Sequence, residues 1–312
     1  MRVFVTGGTG VLGRWVVRLL VEGGDEVRAF SRSQKNTSTL RALGAEPVEA
    51  DLFHRETLYQ SMKDCDAVLH LATKIPSFGR FRSRAAWEDN DRIRRDGTRN
   101  LVDVALELDV KTLVYPSVCF LYPDGGANWI DSEKAQPVRH PMTLSTMDAE
   151  EQVGRFAASK RRGVSLRMGA FYGPESAQSQ QQLKLASWGF AAAFGVEHAY
   201  HSMIWISDAA RAVVSALRRP PSGIYDVVDD DPLQNGENLT ELAKAVNRRN
   251  LRRMPAWALR WMVGVPIMEL LARSQRVRAS FTRRRHAGAR QRPRGPKRWV
   301  RSRRMEHEFS RP

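Results

Sequence analysis

A strand-like run, MRVFVT, breaks at once into the turn TGGTGVLG and then into a helical pattern, GRWVVRLLVEGG. Gly7, Gly10 and Gly13 recur at every third position across that junction, and Leu12, Val16, Leu19 and Leu20 share one face of the helix. A turn of this kind uses residues without Cβ so that the backbone can curve tightly and approach a pyrophosphate. The next helix offers unpaired N–H groups and the positive end of its dipole to the phosphates. Three glycines alone are a weak signal, because any tight strand-to-helix turn favours glycine. Their place between a first strand and a first helix makes the signal specific. The residues expected to hold the dinucleotide here are Gly7, Thr9, Gly10, Val11, Leu12 and Gly13.

Downstream of this helix the chain keeps the same alternation. DEVRAFSR, EPVEAD, DAVLHLAT, KTLVYPSV and GVSLRMGAFYGP read as strands; STLRALG, HRETLYQSMKD, GTRNLVDVALELD and about 143–160 read as helices. Strand and helix in this rhythm imply βαβ units: an α/β, Rossmann-type, doubly wound parallel sheet with helices on both faces. Beyond residue 174 the rhythm weakens. The expected organisation is a dinucleotide domain over 1–174, with 203–230 returning to it, and a small C-terminal substrate lobe from 175–202 and 231–278. An Arg-rich tail occupies 279–312.

The net charge of +16 belongs almost wholly to that tail. Residues 273–312 hold 14 Arg, 1 Lys and 2 Glu, a net of +13, which leaves +3 for the other 272 residues. Cys65 and Cys119 form no metal or redox spacing, and no secretory leader precedes the first strand, so a reducing cytoplasmic setting is expected. The most apolar window, 254–272, is short for a membrane span and carries Arg260, Glu269 and two prolines. It reads as a helix packing on the lobe, with an interfacial membrane helix as the other reading. NAD sites favour an acid at the end of the second strand, whereas a 2′-phosphate needs a cation. FSRSQK offers Arg32 and no acid, with Lys35 and Arg14 as further cations, so NADP is expected and NAD is second.

Seven segments, TGGTGVLG, EAD-L at 49–52, VLHLAT, DGTRNLVDVAL, LRMGAFYGP, IWISDAARAVVSAL and GIYDVVDDDP, stand in the order found in the NAD-dependent epimerase/dehydratase family. The chain resembles this extended branch of the short-chain dehydrogenase/reductases over about 1–280. The resemblance implies Asp51 and Leu52 near the adenine, Leu71, Ala72 and Thr73 along the dinucleotide, and Phe171 near the nicotinamide. It also implies a dimer through helices near 97–109 and 143–160.

The same resemblance exposes a gap. Family enzymes use a Tyr to move a proton and a Lys one helical turn on to lower its pKa. With Glu150 taken as the acid beyond that pair, Met142 stands at the Tyr position and Thr146 at the Lys position. FAASK at 156–160 mimics the motif, but Lys160 lies too close to Arg167 and reads as a helix C-terminal cation. For the substrate-binding hydroxyl, counting from the strand end selects Ser117, and counting back from Tyr122 selects Val118. Tyr122 or Tyr172 is a candidate replacement proton donor.

Two functions are therefore compatible with the sequence. One is an atypical NADP-dependent oxidoreductase or epimerase/dehydratase-like enzyme acting on a small carbonyl, hydroxyl or nucleotide-sugar-type substrate. The other is a non-catalytic NADP(H)-binding redox sensor. The tail has no apolar period and cannot fold alone. It reads either as a polyanion-binding arm, with Trp299 and Phe281 for stacking on nucleic acid, or as an out-of-frame terminus beginning near 278.

Overall fold

A computed structural model of the protein describes residues 1–281; Trp299 and most of the Arg-rich tail lie outside them. From the N-terminus come β1 (Arg2–Thr6), α1 (Val11–Glu22), β2 (Glu26–Ser31), α2 (Gln34–Ala42), β3 (Glu46–Glu49), α3 (Arg55–Met62) and β4 (Ala67–His70). A 3-10 turn at Phe78–Arg80 then leads into α4 (Arg84–Arg92), a π-helical turn (Ile93–Gly97), α5 (Thr98–Glu107), β5 (Thr112–Val118), β6 (Trp129–Ile130), α6 (Leu144–Ala158) and β7 (Arg162–Met168). The second half holds β8 (Ala170–Tyr172), α7 (Ala177–Ser187), β9 (Phe190–Ala191), β10 (Tyr200–His201), β11 (Met203–Trp205), α8 (Ile206–Ala216) and β12 (Gly223–Val227). It closes with β13 (Leu233–Gln234), α9 (Asn235–Ala245), β14 (Arg252–Arg253), α10 (Ala256–Val263), α11 (Val265–Leu271) and β15 (Arg276–Val277).

Seven strands form one wholly parallel sheet in the order β12-β7-β5-β4-β1-β2-β3. The order reverses beside β1: the chain runs outward through β2 and β3, then returns to place β4 on the other side. Ligands of open parallel sheets bind outside the strand carboxyl ends at such a reversal. The central strands are buried on both faces and read as continuous apolar runs, as the helices covering them require. Val16, Val17 and Leu20 of α1, Leu40 of α2 and Val213 of α8 pack on one face of the sheet. Leu58 of α3, Leu101 and Val102 of α5, and Val153 and Phe156 of α6 pack on the other. A separate core of Tyr172, Leu183, Met203, Trp205 and Leu242 binds α7 and α9 to β8 and β11.

One buried ion pair ties three of these elements together. Arg167 of β7 donates from Nε and Nη2 to the two carboxylate oxygens of Glu150 on α6, at 2.9 and 2.7 Å, with side chains 3% and 8% exposed. Ser117 of β5 donates to the same carboxylate at 2.5 Å. Burial works against the Arg167 charge, yet the Glu150 hydrogen bonds and charge hold its pKa above the usual value.

The chain near its described end remains docked. Ala279 and Phe281 are buried, Phe281 packs edge-on against Tyr225, and Ser280 Oγ accepts the Asp226 N–H at 2.7 Å. The first three residues of the expected tail, 279–281, are thus packed on the fold, and 282–312 lie outside the described residues. Phe281 is committed to the core rather than to stacking on bases.

Removing one partner of a buried pair leaves an uncompensated charge, at a cost of about 3–5 kcal/mol. Glu150→Ala should lower the urea unfolding free energy by that order, and Glu150→Leu with Arg167→Met should restore most of it. Equal losses in both variants would show that packing, not charge, is at stake.

Candidate dinucleotide site

The glycine turn lies between β1 and α1, at the reversal of strand order. Gly7 has φ +71°, and a Cβ there would sit 2.6 Å from the Leu71 carbonyl carbon and 2.7 Å from the Ala72 nitrogen. On Gly13 it would meet the Gly7 carbonyl oxygen at 2.1 Å. Gly10 is less constrained, with only the Gly7 oxygen at 3.2 Å; it N-caps α1 with no side-chain hydrogen bond. The N–H groups of Val11, Leu12 and Gly13 open the helix and have no partner within it. No acid stands in that first turn to compete for an anion. Backbone pressed this closely, feeding open N–H groups, is what a pyrophosphate needs.

The end of β4 forms the opposite wall. The Thr6 carbonyl accepts the Leu71 N–H and Thr6 Oγ1 the Ala72 N–H, both at 3.2 Å, so Leu71–Thr73 leave the sheet directly across from the glycines. Thr73 is exposed and Ala72 half-buried. Asp51 is exposed and accepts the Phe53 N–H, while Leu52 is buried beneath it. Arg32 is exposed just past β2, its guanidinium 5.8 Å over the Phe30 ring, with exposed Lys35 three residues on; Arg14 donates to the Thr9 carbonyl at 3.0 Å. Phe171 is half-buried on β8.

At the predicted catalytic positions the structure brings together different chemistry. Thr146 is buried at the start of α6 and accepts a 2.5 Å hydrogen bond from Arg94 Nη1 of the π-helical turn. Arg94 is itself only 6% exposed, and its Nε has no hydrogen-bond partner among the described residues. A guanidinium thus stands against the position expected from the sequence to match the motif's Lys, a contact that periodicity could not reveal across 52 residues. Met142 is half-buried, and its N–H donates to His140 Nδ1 at 3.3 Å. That bond assigns the proton to Nε2, which lies 4.0 Å from Glu269 of α11. Burial and the Arg273 charge lower the His140 pKa, against the opposing effect of Glu269. Sequence reasoning missed both Arg94 and His140, because each lies outside the motif's own helix.

Tyr122 is corrected. It is fully buried and its hydroxyl donates to Asp226 at 2.7 Å, with burial pushing its pKa far up, so it is a core phenol and not a proton donor to a ligand. Tyr172 is likewise buried and donates to Asp229 at 2.7 Å. Ser117 is 2% exposed with its proton given to Glu150, whereas its neighbour Val118 is half-buried, as strand alternation requires. Two surface hollows of about 560 and 570 Å3 lie elsewhere, the first between α7 and the end of α9, the second around Lys160. Among the described residues no group of side chains is placed to hold a metal ion.

The chain belongs to the NAD dependent epimerase/dehydratase family, whose model matches residues 3–227. It is 27% identical over 271 residues to a 3-diazoavenalumate denitrifying reductase of a Streptomyces species, covering 82% of this chain and 85% of that one. To a 4-hydroxy-2-methyl-3-oxo-4-farnesyl-3,4-dihydroquinoline-1-oxide ketoreductase of Stigmatella aurantiaca it is 36% identical over 125 residues, 40% of this chain and about a third (36%) of that one. The fold superposes on the crystal structure of a human epimerase family protein with NADPH at a TM-score of 0.78, 20% identity, covering 99% of each chain.

The cradle can be tested at its two kinds of glycine. Gly13→Ala should abolish dinucleotide binding measured by fluorescence titration, while Gly10→Ala should weaken it far less; equal effects would contradict the cradle. His70, buried at the end of β4 and 2.7 Å from Thr6 Oγ1, has its pKa lowered to about 4 by burial, with the Arg94 charge adding and the Ile93 carbonyl opposing. An imidazole that stays neutral when folded but protonates near 6.5 when unfolded loses the chain stability as pH falls from 6.5 to about 4. The loss is on the order of 3 kcal/mol. Asp226 acts oppositely: burial raises its folded pKa to about 6 from 3.8, so acidification across that interval adds stability. The stability gap between wild type and His70→Asn, from urea midpoints, should therefore narrow steadily below pH 6.5.

Proposed function

We propose that the protein is an atypical NADP-dependent oxidoreductase, or an epimerase- or dehydratase-like enzyme, acting on a small carbonyl, hydroxyl or nucleotide-sugar-type substrate. The observation that carries the reading is the turn in which neither Gly7 nor Gly13 has room for a side chain. When bound, the nicotinamide dinucleotide supplies the hydride. Gly7, Thr9, Gly10, Val11, Leu12 and Gly13 hold its phosphates by backbone N–H groups and the α1 dipole. Asp51 and Leu52 flank the adenine, Leu71, Ala72 and Thr73 line the opposite wall, and Phe171 flanks the ring that reacts. Arg32 favours the 2′-phosphate, because the end of β2 offers an exposed cation and no acid of its own for the ribose hydroxyls; Asp89 of α4 acts on Arg32 only through its charge.

The chain's own part in the reaction is positioning and proton supply. Arg94, pinned by Thr146, provides the fixed positive charge that a Lys would otherwise bring. We assign the proton donor to His140: its Nε2–H faces Glu269 across the junction between α6 and the C-terminal lobe, and the Glu269 charge opposes the burial that lowers its pKa. The substrate lies in the lobe formed by 175–202 and 231–278, while Ser117, the hydroxyl at the end of β5, is held inside the fold by Glu150. Relatives named as reductases agree with a carbonyl substrate. Two free, buried thiols agree with a reducing cytoplasm. A homodimer through α5 and α6 would build on helices already braced by Arg155–Asp103, with Arg95 of the π-helical turn paired to Asp148 beside them.

A second reading, an NADP(H)-binding redox sensor, is favoured by one observation: Met142 and Thr146 carry no titratable group where the motif's Tyr and Lys would stand. Consumption of NADPH over a panel of small ketones, aldehydes and nucleotide sugars separates the two. The enzyme reading predicts turnover that His140→Gln lowers by about 10²–10⁴-fold with unchanged NADPH affinity. Tight NADPH binding with no turnover across the panel would establish the sensor instead.

A further inference from the structure

The C-terminal helices carry a surface that neither the dinucleotide cradle nor the His140 region uses. In α10 the core-facing residues are Leu259 and Val263, while Trp257 and Trp261, one helical turn apart, are 75% and 69% exposed. Large indoles are seldom left so bare, and two on one face mark a contact surface. Gly264, at φ +82°, turns the chain into α11 and exposes Val265 beside them. The 3-10 turn at Phe78–Arg80 packs against this helix, and Arg82 closes over it: its guanidinium stands 5.8 Å over the Trp261 ring and its stem lies against Gly264. Ile75, on the loop leading to that turn, is 57% exposed.

The charges that flank this ridge in the sequence have one sign, although Arg253 also donates to the Gly195 carbonyl at 2.7 Å. Residues 248–268 contain no Asp or Glu, and neither do residues 74–87. Arg252, Arg253 and Arg260 from the first segment and Arg80, Arg82 and Arg84 from the second are all exposed. Lys74 does not count toward the patch, because Asp89 pairs it at 2.5 Å. Glu269, the first acid beyond, is turned toward His140.

We propose that the α10 face is a docking surface for an anionic lipid bilayer, with Trp257 and Trp261 seated at the headgroup level and the six arginines on lipid phosphates. Trp is the side chain that prefers that depth, its indole half apolar and half hydrogen-bonding, and Arg reaches phosphate while its stem stays in the apolar layer. The aliphatic members of the ridge, Ile75 and Val265, suit acyl chains and offer nothing to a nucleic-acid base. Among the described residues no helix is long and apolar enough to cross a membrane.

The test uses the full chain, so the tail is present in every arm. Wild-type protein is sedimented with vesicles of phosphatidylcholine alone and with about a third phosphatidylglycerol, and its Trp emission is read with headgroup-brominated lipid. Partition only with the anionic vesicles is expected, with quenched, blue-shifted emission. Trp257→Ala with Trp261→Ala should lower the partition by at least about tenfold, with NADPH binding and circular dichroism unchanged because both side chains are exposed. Arg82→Glu with Arg260→Glu should lower the partition on anionic vesicles by at least about tenfold. Vesicle binding that the Trp variant leaves intact would assign attachment to the tail and overturn the proposal. So would absence of partition, or a Trp variant that loses only oligonucleotide binding.

Discussion

Gly13 sits so close to the Gly7 carbonyl oxygen that a methyl group would lie 2.1 Å from it. That contact fixes how sharply β1 gives way to α1, and everything at the carboxyl edge of the sheet is arranged around it. The turn sets the helix axis, and with it the direction of the open N–H groups. The packing of Val16, Val17 and Leu20 on the sheet depends on the same axis. Gly7 imposes the second limit, since its backbone lies against the Leu71–Ala72 peptide and so sets the distance between β1 and the wall supplied by β4. The dinucleotide cradle is thus a consequence of packing between backbones, and it needs no particular side chain to exist.

The local origin of the cradle explains why it could be read from sequence. Strands of the parallel sheet are apolar runs, the helices over them carry a 3.6-residue period, and the glycine turn is local; all three are written over short stretches of sequence. Leu12, Val16 and Leu20 were legible as a buried face, and Leu19 alone strays to half-burial. The sequence could not disclose pairings made across long separations. Tyr122 looks like a free phenol until β12 brings Asp226 to it from 104 residues away. Arg94 is one cation in a basic stretch until the π-helical turn lays it on Thr146. Phe281 opens an Arg-rich tail on paper and closes a core against Tyr225 in space.

The buried polar groups show what the fold has built around positions 142–150. Glu150, the acid expected after the motif, is occupied with Arg167 and Ser117 inside the fold. A Lys at 146 would set an ammonium beside the Arg94 guanidinium in a dry interior, where like charges are costly. The family scaffold is kept, and on the reading proposed above its proton and charge positions have moved to residues on neighbouring elements.

The most direct measurement is a fluorescence titration of the full chain with NADPH and, separately, with NADH. We predict saturable NADPH binding, with NADH weaker by at least about tenfold, the difference of roughly 1.4 kcal/mol expected of one charge-assisted contact to the 2′-phosphate. Equal affinities would remove the role given to Arg32. Binding of neither would mean that the turn serves the fold alone, and the dinucleotide reading would fail.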